Sequence, residues 1–211
     1  GILTGVRHYD SLGYRNDTTR YYYPDGKTVR IIMPFRDGER HGEVLYLAPD
    51  GTLMGALHYD EGYLLGYSYL NTDGSRKEMI ALPNETGDVK CYYPNGKLAL
   101  STSFQYGARH GTYSKYATDG TLLFEGEFQH GAYNGKAKEY YVNGTLREDF
   151  TYQDDNKEGV QYLYYPNGKR SYEITYVLGQ RHGEAKFYHT DGSLHRHVVY
   201  HDDDIIKDLT P

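Results

Sequence analysis

Two glycine series recur along the chain with one shared period, and this periodicity limits the fold more than any other feature. Asp-Gly or Asn-Gly pairs end at Gly26, Gly51, Gly74, Gly96, Gly120, Gly144, Gly168 and Gly192, at spacings of 25, 23, 22 and then four times 24. A second series runs through Gly42, Gly66, Gly87, Gly111, Gly135, Gly159 and Gly183, at spacings of 24, 21 and again four times 24. A fixed period of this length indicates tandem structural repeats.

Each repeat holds two strand-length runs separated by turn signals. Neither run has a helical period, and the chain contains 26 Tyr and 25 Gly, a pair typical of strands and tight turns. Four turns carry Pro before the Asp-Gly or Asn-Gly pair, as in Tyr93-Pro94-Asn95-Gly96. Pro suits the second position of a type I turn, and Gly accepts the left-handed conformation. We therefore predict three-residue loops with Gly26, Gly51, Gly96 and Gly168 at positive φ.

These elements predict an all-β fold: a single elongated, twisted antiparallel β-meander of about eight tandem hairpin repeats of ~24 residues, with about 16 strands. One repeat array is expected over residues 1–211. Residues 1–16 form a partial repeat or an N-terminal cap, because residues 3–9 parallel residues 53–59. Repeats fill 17–201, and 202–211 form a C-terminal cap or tail. The third repeat is short and has Ile80 where the others have an aromatic residue, so a kink is expected near residues 67–87.

Two aromatic rows follow from the predicted register. The three-residue loop pairs Tyr92 with Leu98 and Tyr140 with Leu146, and a count in steps of two places the later aromatic row on the same face. We expect that face to carry the partner-binding residues Tyr116, Tyr140, Tyr164, Tyr188, Phe104, Phe128, Tyr152 and Tyr176. The same rows also fit a structural core, because a sheet of one layer has only its own side chains to bury.

Charge and composition exclude several classes of partner. The formal charge is −6 and no Lys/Arg cluster occurs, which excludes nucleic acid and disfavours membrane lipid. The single Cys, Cys91, lies in a strand among aromatic equivalents, where it is expected to pack as a small hydrophobe. No stretch has the roughly 20 apolar residues of a membrane-spanning helix.

Searches for chemistry find no convergent catalytic pattern, and we expect no enzyme activity and no cofactor. The densest metal-like group is His195 and His197, two apart on one strand, with His189 across the hairpin. No motif places a further ligand beside them, so we predict no metal site. Arg-His pairs precede the second glycine, as at Arg40-His41, Arg109-His110 and Arg181-His182, and these are expected at solvated turns.

The repeat units resemble the MORN family. Phe124-Glu125-Gly126-Glu127-Phe128-Gln129-His130-Gly131 resembles the core of a MORN repeat, whereas Tyr92–Leu98 and Gly107–Gly111 resemble the bacterial MORN-variant repeat. The resemblance covers about residues 20–201. Proteins with this variant are often labelled antitoxin components of toxin–antitoxin systems. The chain departs from the family in lacking Trp and in its short third repeat.

The resemblance and the aromatic rows imply a non-catalytic repeat scaffold that mediates protein–protein interaction, antitoxin-like or associated with the cell envelope. The alternative is a carbohydrate-binding module that uses the aromatic face. The resemblance implies a bacterial protein. We expect the cell envelope or secretion, with an export signal preceding residue 1, and the cytoplasm as the alternative.

Overall fold

The computed structural model describes residues 5–6, 9, 11 and 13–211. It divides into two compact units: Gly1–Ala108 with Lys115–Gly120, and Arg109–Ser114 with Thr121–Pro211. Most of the 3–9 segment, whose parallel with 53–59 suggested a partial repeat, lies outside the described residues. In the part of the chain that is described, no helical segment has the length and hydropathy that a bilayer crossing requires.

The predicted all-β class and antiparallel meander are confirmed, and the described residues contain a single 3-10 turn, at Pro83–Glu85. The first ten strands are β1 (Gly5–Val6), β2 (Asp17–Tyr22), β3 (Val29–Arg36), β4 (Glu39–Arg40), β5 (Gly42–Leu47), β6 (Leu53–Asp60), β7 (Tyr63–Ser68), β8 (Ile80–Ala81), β9 (Gly87–Tyr92) and β10 (Leu98–Gln105). The others are β11 (Ala108–Tyr116), β12 (Leu122–Gln129), β13 (Ala132–Tyr140), β14 (Leu146–Gln153), β15 (Asn156–Lys157), β16 (Gly159–Tyr164), β17 (Arg170–Val177), β18 (Gln180–Tyr188), β19 (Leu194–His201) and β20 (Asp204–Asp208).

The strands form two sheets, of eight and twelve strands, where the sequence predicted one sheet of about 16. The first has the order β1-β2-β3-β5-β6-β7-β8, with β4 beside β3. It ends at β8, where the short third repeat supplies only two strand residues, and β9 belongs to the other sheet. The predicted discontinuity at residues 67–87 is therefore confirmed, and it is a complete break in the hydrogen-bond ladder.

The Pro-bearing turns at Gly51, Gly96 and Gly168 are three-residue loops as predicted, whereas the prediction of a three-residue loop at Gly26 is wrong. Around Gly96, the Tyr93 amide donates to the Lys97 carbonyl at 2.9 Å, which closes a three-residue loop. The four predicted glycines have φ between +67° and +84°. The loop at Gly26 is one residue longer, because the Tyr23 amide donates to the Thr28 carbonyl. The Asp25 carboxylate fills that wider loop and accepts from the backbone amides of Lys27 and Thr28.

The opposite ends of the hairpins are two-residue turns that the sequence analysis did not identify. His130-Gly131 and Leu178-Gly179 have positive φ at both positions, as type I′ turns require. The second glycine series lies four residues further on, within irregularities of the strand pairing such as that around Gly135. The expectation that the Arg-His pairs lie at solvated turns is therefore wrong, because these residues, except His41 between β4 and β5, lie in the strands that follow the turns.

A β-bulge after each three-residue loop changes which side chains share a face. Leu98 pairs with Tyr92, but Leu100 pairs with Cys91, so Ala99 is an extra residue without its own partner. Equivalent extra residues are Arg30, Met54, Arg147, Ser171 and His195. A single extra residue reverses the alternation of the strand. The prediction that both aromatic rows lie on one face is therefore wrong.

The first unit has two layers of sheet rather than one. A Cβ added to Gly55 in β6 would lie 2.4 Å from Cys91 Sγ in β9, so the two strands approach as closely as a glycine allows. Val44, Leu57 and Val89 are at most 2% exposed. Burial on this scale requires a covering layer, and the break after β8 allows the chain to supply it.

Tyrosines that precede the three-residue loops connect successive repeats within each unit. In the first unit, the Tyr93 hydroxyl donates to the Tyr116 carbonyl at 2.8 Å. In the second unit, the hydroxyls of Tyr141 and Tyr165 donate to the carbonyls of Tyr164 and Tyr188. Each bond reaches 23 residues along the sequence, about one repeat, and satisfies a strand-end carbonyl.

Replacement of Gly96 by alanine is expected to lower the free energy of unfolding by about 1 kcal/mol, through strain at a left-handed site. Its φ is +79°, and an added Cβ would meet no atom within 4 Å. The substitution therefore measures backbone strain without a contribution from steric overlap. Gly96→Asn is the matched control, because asparagine tolerates this conformation. Urea denaturation should rank the Asn variant above the Ala variant; equal stability of wild type and both variants would contradict the loop geometry.

Replacement of Gly55 by alanine should loosen the contact between the two layers of the first unit, because overpacking of this kind costs about 1–3 kcal/mol. Burial raises the pKa of the Cys91 thiol to about 12, and Cys91 is the chain's single cysteine, so a thiol reagent reports opening of this contact. We expect faster labelling in native buffer for Gly55→Ala than for wild type, and equal labelling in denaturant. Equal native rates would exclude the two-layer packing.

Candidate interaction surface

The eight residues predicted to bind a partner lie on opposite faces of the sheet. In the second unit, Phe128, Tyr152 and Tyr176 lie on the face that also carries the buried Ile174 and Tyr200. We call this the ladder face. Cross-strand pairs place Ala137 with Phe150, and Gly135 with Tyr152, on it. Tyr140, Tyr164 and Tyr188 lie on the other face, which we call the tyrosine face. In the first unit, Phe104 is buried and Tyr116 is half-buried.

The ladder face is the core of the second unit. Ile174, Ala185, Val198 and Tyr200 form a buried cluster, against which Tyr172, Tyr176 and Phe187 pack. Phe128 is 7% exposed, and its ring centroid lies 4.1 Å from that of Tyr133. Burial raises the pKa of Tyr152 and of Tyr172 to about 12, so both phenols stay neutral. This arrangement supports the structural interpretation of the later aromatic row.

Cations from the neighbouring strands cover the ladder rings. The Arg109 guanidinium lies 5.7 Å from the Phe128 ring centroid, and the Lys157 ammonium lies 5.1 Å from that of Tyr176. Arg181 lies 4.5 Å from the Tyr200 ring. In the first unit, Arg40 covers Tyr59 in the same way, at 4.6 Å. The arginines of the Arg-His pairs therefore stabilise the core through cation–π contacts.

The tyrosine face combines half-buried phenol rings with charges of both signs. Tyr140 interacts with Glu125, and burial together with that carboxylate raises the pKa of the Tyr140 phenol. A cross-strand row of pairs runs through Glu125, Lys138, Asp149, Tyr162, Glu173, Lys186 and His197. Lys186 Nζ lies 3.4 Å from Glu173 Oε1. These pairs place side chains of both charges in one row across the tyrosine face.

A shallow depression of about 160 Å³ lies on this face between β12 and β13. Its lining residues are Thr112, Glu125, Gly126, Glu127, Lys136, Ala137 and Lys138. It lies beside the Glu125 carboxylate that interacts with Tyr140. The tyrosine face therefore offers a polar recess next to an aromatic ring, a combination suited to a side chain of a binding partner.

The first unit has a larger cleft, of about 360 Å³, beside the break in its sheet. It is lined by Tyr69, Leu70, Asn71, Thr72, Lys77, Tyr92, Tyr93 and Gly96. The rings of Tyr69 and Tyr92 meet edge to face with centroids 5.6 Å apart, and Lys77 Nζ lies 5.5 Å from the Tyr69 centroid. Sequence analysis missed this cleft, because it arises from the break in the ladder rather than from a motif.

The histidines predicted as the densest metal-like group do not converge. The rings of His189 and His195 have centroids 4.5 Å apart, but His197 Nε2 faces Glu184 at 3.3 Å. His195 is the extra residue of a bulge, so the rule that residues two apart share a face does not apply to it. Instead, His182, His201 and Asp202 bring their ligand atoms within 4.8 Å of one another.

The family models match this repeat pattern directly. Residues 85–106, 109–130, 157–177 and 181–202 match the MORN repeat variant, and residues 124–146 match the MORN repeat. The chain contains MORN repeats between residues 85 and 202. The matches begin at residue 85, whereas the resemblance was expected from about residue 20; the first unit nevertheless has the same loops and cation–π contacts. MORN repeats form a non-enzymatic family and are generally scaffolds for protein or membrane interaction.

Other comparisons add no functional information. No curated protein matches the chain. Similar solved chains include "Crystal Structure of TcdB2-TccC3", at 11% identity and a TM-score of 0.26, covering 97% of this chain and 15% of that chain. The form "without hypervariable C-terminal region" gives 14% identity and a TM-score of 0.26, with 96% and 12% covered. This chain thus spans a small part of those chains.

The contribution of Glu148, a carboxyl on the ladder face of the second unit, to stability should fall as pH rises through its pKa. Burial raises this pKa above its ordinary value of 4.5, and Glu139 raises it further. The folded state therefore binds this proton more tightly than the unfolded state. The resulting stabilisation is present at low pH and is lost as pH rises.

Glu148→Gln should flatten this slope and stabilise the chain at neutral pH. Glu184→Gln is the control of opposite sign, because Lys186 lowers the pKa of Glu184, and that stabilisation is present at neutral pH and lost on acidification. Thermal unfolding across the acidic range measures both effects. A Glu148→Gln variant with the wild-type slope would contradict the burial of this carboxyl.

Proposed function

We propose that this MORN-repeat chain is a non-catalytic scaffold that binds a protein partner through the tyrosine face of its second unit. The observation that carries the proposal is the division of the aromatic rows. The ladder face is occupied by the core, whereas Tyr140, Tyr164 and Tyr188 are half-buried on the opposite face, which also carries charges of both signs. Tyrosine is enriched at protein interfaces because one ring supplies apolar contact and a hydroxyl donor.

The dimensions of the tyrosine face fit a protein better than a small ligand. Adjacent strands lie about 4.8 Å apart, so equivalent tyrosines of successive repeats recur at roughly 10 Å. Three such residues span about 20 Å, and a standard interface needs about 800 Å² on each side. The alternating charges of Lys138, Asp149, Glu173 and Lys186 supply the polar contacts that give such an interface its specificity.

More specifically, we propose that the scaffold has an antitoxin-like role or a role in the cell envelope. In the antitoxin-like case the partner is a toxin protein, and in the envelope case it is a component of the cell surface. Both use the same face and differ only in the identity of the bound protein.

The double variant Tyr140→Ala with Tyr164→Ala should abolish binding of the partner without unfolding the array. The matched control is Tyr63→Ala with Tyr106→Ala, which removes two tyrosines that are 64% and 77% exposed in the first unit. Quantitative affinity capture from the source cells identifies the proteins lost with the first pair and retained with the second. Direct binding of the purified partner then confirms the loss. Equal binding by both double variants would contradict the proposal.

A carbohydrate-binding function is the second candidate, and the Tyr69–Tyr92 cleft of the first unit is the observation that favours it. Its volume, near the lower end for small-molecule sites, and its Asn71 amide and Lys77 ammonium suit hydroxyl or acidic sugars. Tyr92→Ala should then remove a glycan bound by wild type, while Tyr140→Ala with Tyr164→Ala retains it. A glycan lost in the latter variant would replace the protein-scaffold proposal.

A further inference from the structure

A cluster of two imidazoles and one carboxylate lies at the end of the last described hairpins of the second unit. Gly183 pairs with Tyr200 between β18 and β19, which places His182 directly opposite His201. Their ring centroids are 4.8 Å apart. Asp202 follows in the tight turn before β20, with φ at +48°.

The three side chains already face a common point. His182 Nδ1 lies 3.4 Å from Asp202 Oδ1, and His201 Nδ1 lies 3.4 Å from Asp202 Oδ2. With zinc–ligand distances of about 2.0–2.2 Å, the donors around a tetrahedral ion lie about 3.3–3.6 Å apart. Each imidazole is therefore at this spacing from one of the two carboxylate oxygens, and one ligand atom from each residue lies within 4.8 Å of the other two. The half-buried and exposed rings need only small rotations to close the remaining gap.

The neighbouring Asp203 binds Arg181, the cation that would otherwise compete with a metal ion for the Asp202 carboxylate. Arg181 donates from Nε to Asp203 Oδ1 at 2.8 Å and from a terminal nitrogen to the Asp203 carbonyl. The guanidinium is thus held by Asp203 and by the Tyr200 ring. Among the described residues, the ion pairs of Asp202 are those with His182 and His201.

Equivalent positions in other repeats lack this combination. Three repeats earlier, His110, Gln129 and His130 occupy the positions of His182, His201 and Asp202. The ring centroids of His110 and His130 are 6.5 Å apart. In the first unit His41 lies 3.0 Å from Asp60, but Arg36 also pairs with that carboxylate and with Glu61. The ligand set is therefore a property of the last repeat and not of the repeat pattern.

We propose that His182, His201 and Asp202 bind a zinc ion. Two neutral imidazoles and one carboxylate are a ligand set that zinc accepts, and they leave a fourth position open to water or to a donor from a partner. The ion would connect β18, β19 and the turn into β20. All five residues of β20 are exposed, so this terminal strand gains little stability from burial.

Calorimetric titration of the full chain with zinc alone, after removal of any histidine tag, tests the site. We expect one ion per chain and a higher thermal-unfolding temperature in zinc. His201→Ala and Asp202→Asn should each weaken binding by about tenfold or more, because a ligand to the ion is lost. Cobalt substitution should give a visible absorption band that both variants lose.

His195→Ala is the matched control, since it breaks the His189–His195 pair, whose ring centroids are 4.5 Å apart, against 4.8 Å for His182 and His201. It should leave zinc affinity and the cobalt spectrum unchanged. Thermal unfolding without metal shows whether each variant folds as wild type does. Absence of zinc binding by wild type, equal affinity in the His201 and Asp202 variants, or loss of binding in the His195 variant would each overturn the site.

Discussion

One unpaired residue in each bulged repeat determines which side chains reach the core. After each three-residue loop, the first residue of the second strand pairs with the last residue of the first strand. The next residue, such as Ala99 or Arg147, has no partner and forms a bulge. Beyond the bulge, the alternation of the strand is reversed. The aromatic residues at the far end of each strand therefore enter the ladder face, whereas the tyrosines beside the loop point to the other face. The core and the proposed binding surface both depend on this shift.

The local features were predictable from sequence because each has a local cause. Pro-Asn-Gly specifies its loop, and the glycine period specifies the meander. The bulges were not predictable, because the extra residues are as dissimilar as Met54, Arg147 and Ser171 and carry no common signature. The two-layer packing around Gly55 and Cys91 was also missed, since it depends on a contact between distant strands that only the break after β8 allows.

The candidate sites show the same division between local and distant causes. The aromatic rows were visible in the sequence, but their assignment to two faces required the bulges. The Arg-His pairs were visible as well, yet the arginines cover aromatic rings and His182 contacts residues of the following hairpin. Cross-strand neighbours about 20 residues apart are set by the hairpin register, so the sequence period alone could not bring His182, His201 and Asp202 together.

The assignment of the two rows to opposite faces is tested most directly by nuclear Overhauser contacts in a selectively labelled sample. We predict contacts between the rings of Tyr133 and Tyr152, whose centroids are 5.2 Å apart, and between the Tyr140 ring and the Lys138 methylenes. Contacts from the Phe150 ring to the Lys136 methylenes on the tyrosine face, in place of contacts to the Ala137 methyl group with which Phe150 pairs, would show that the alternation is not reversed and would contradict the account.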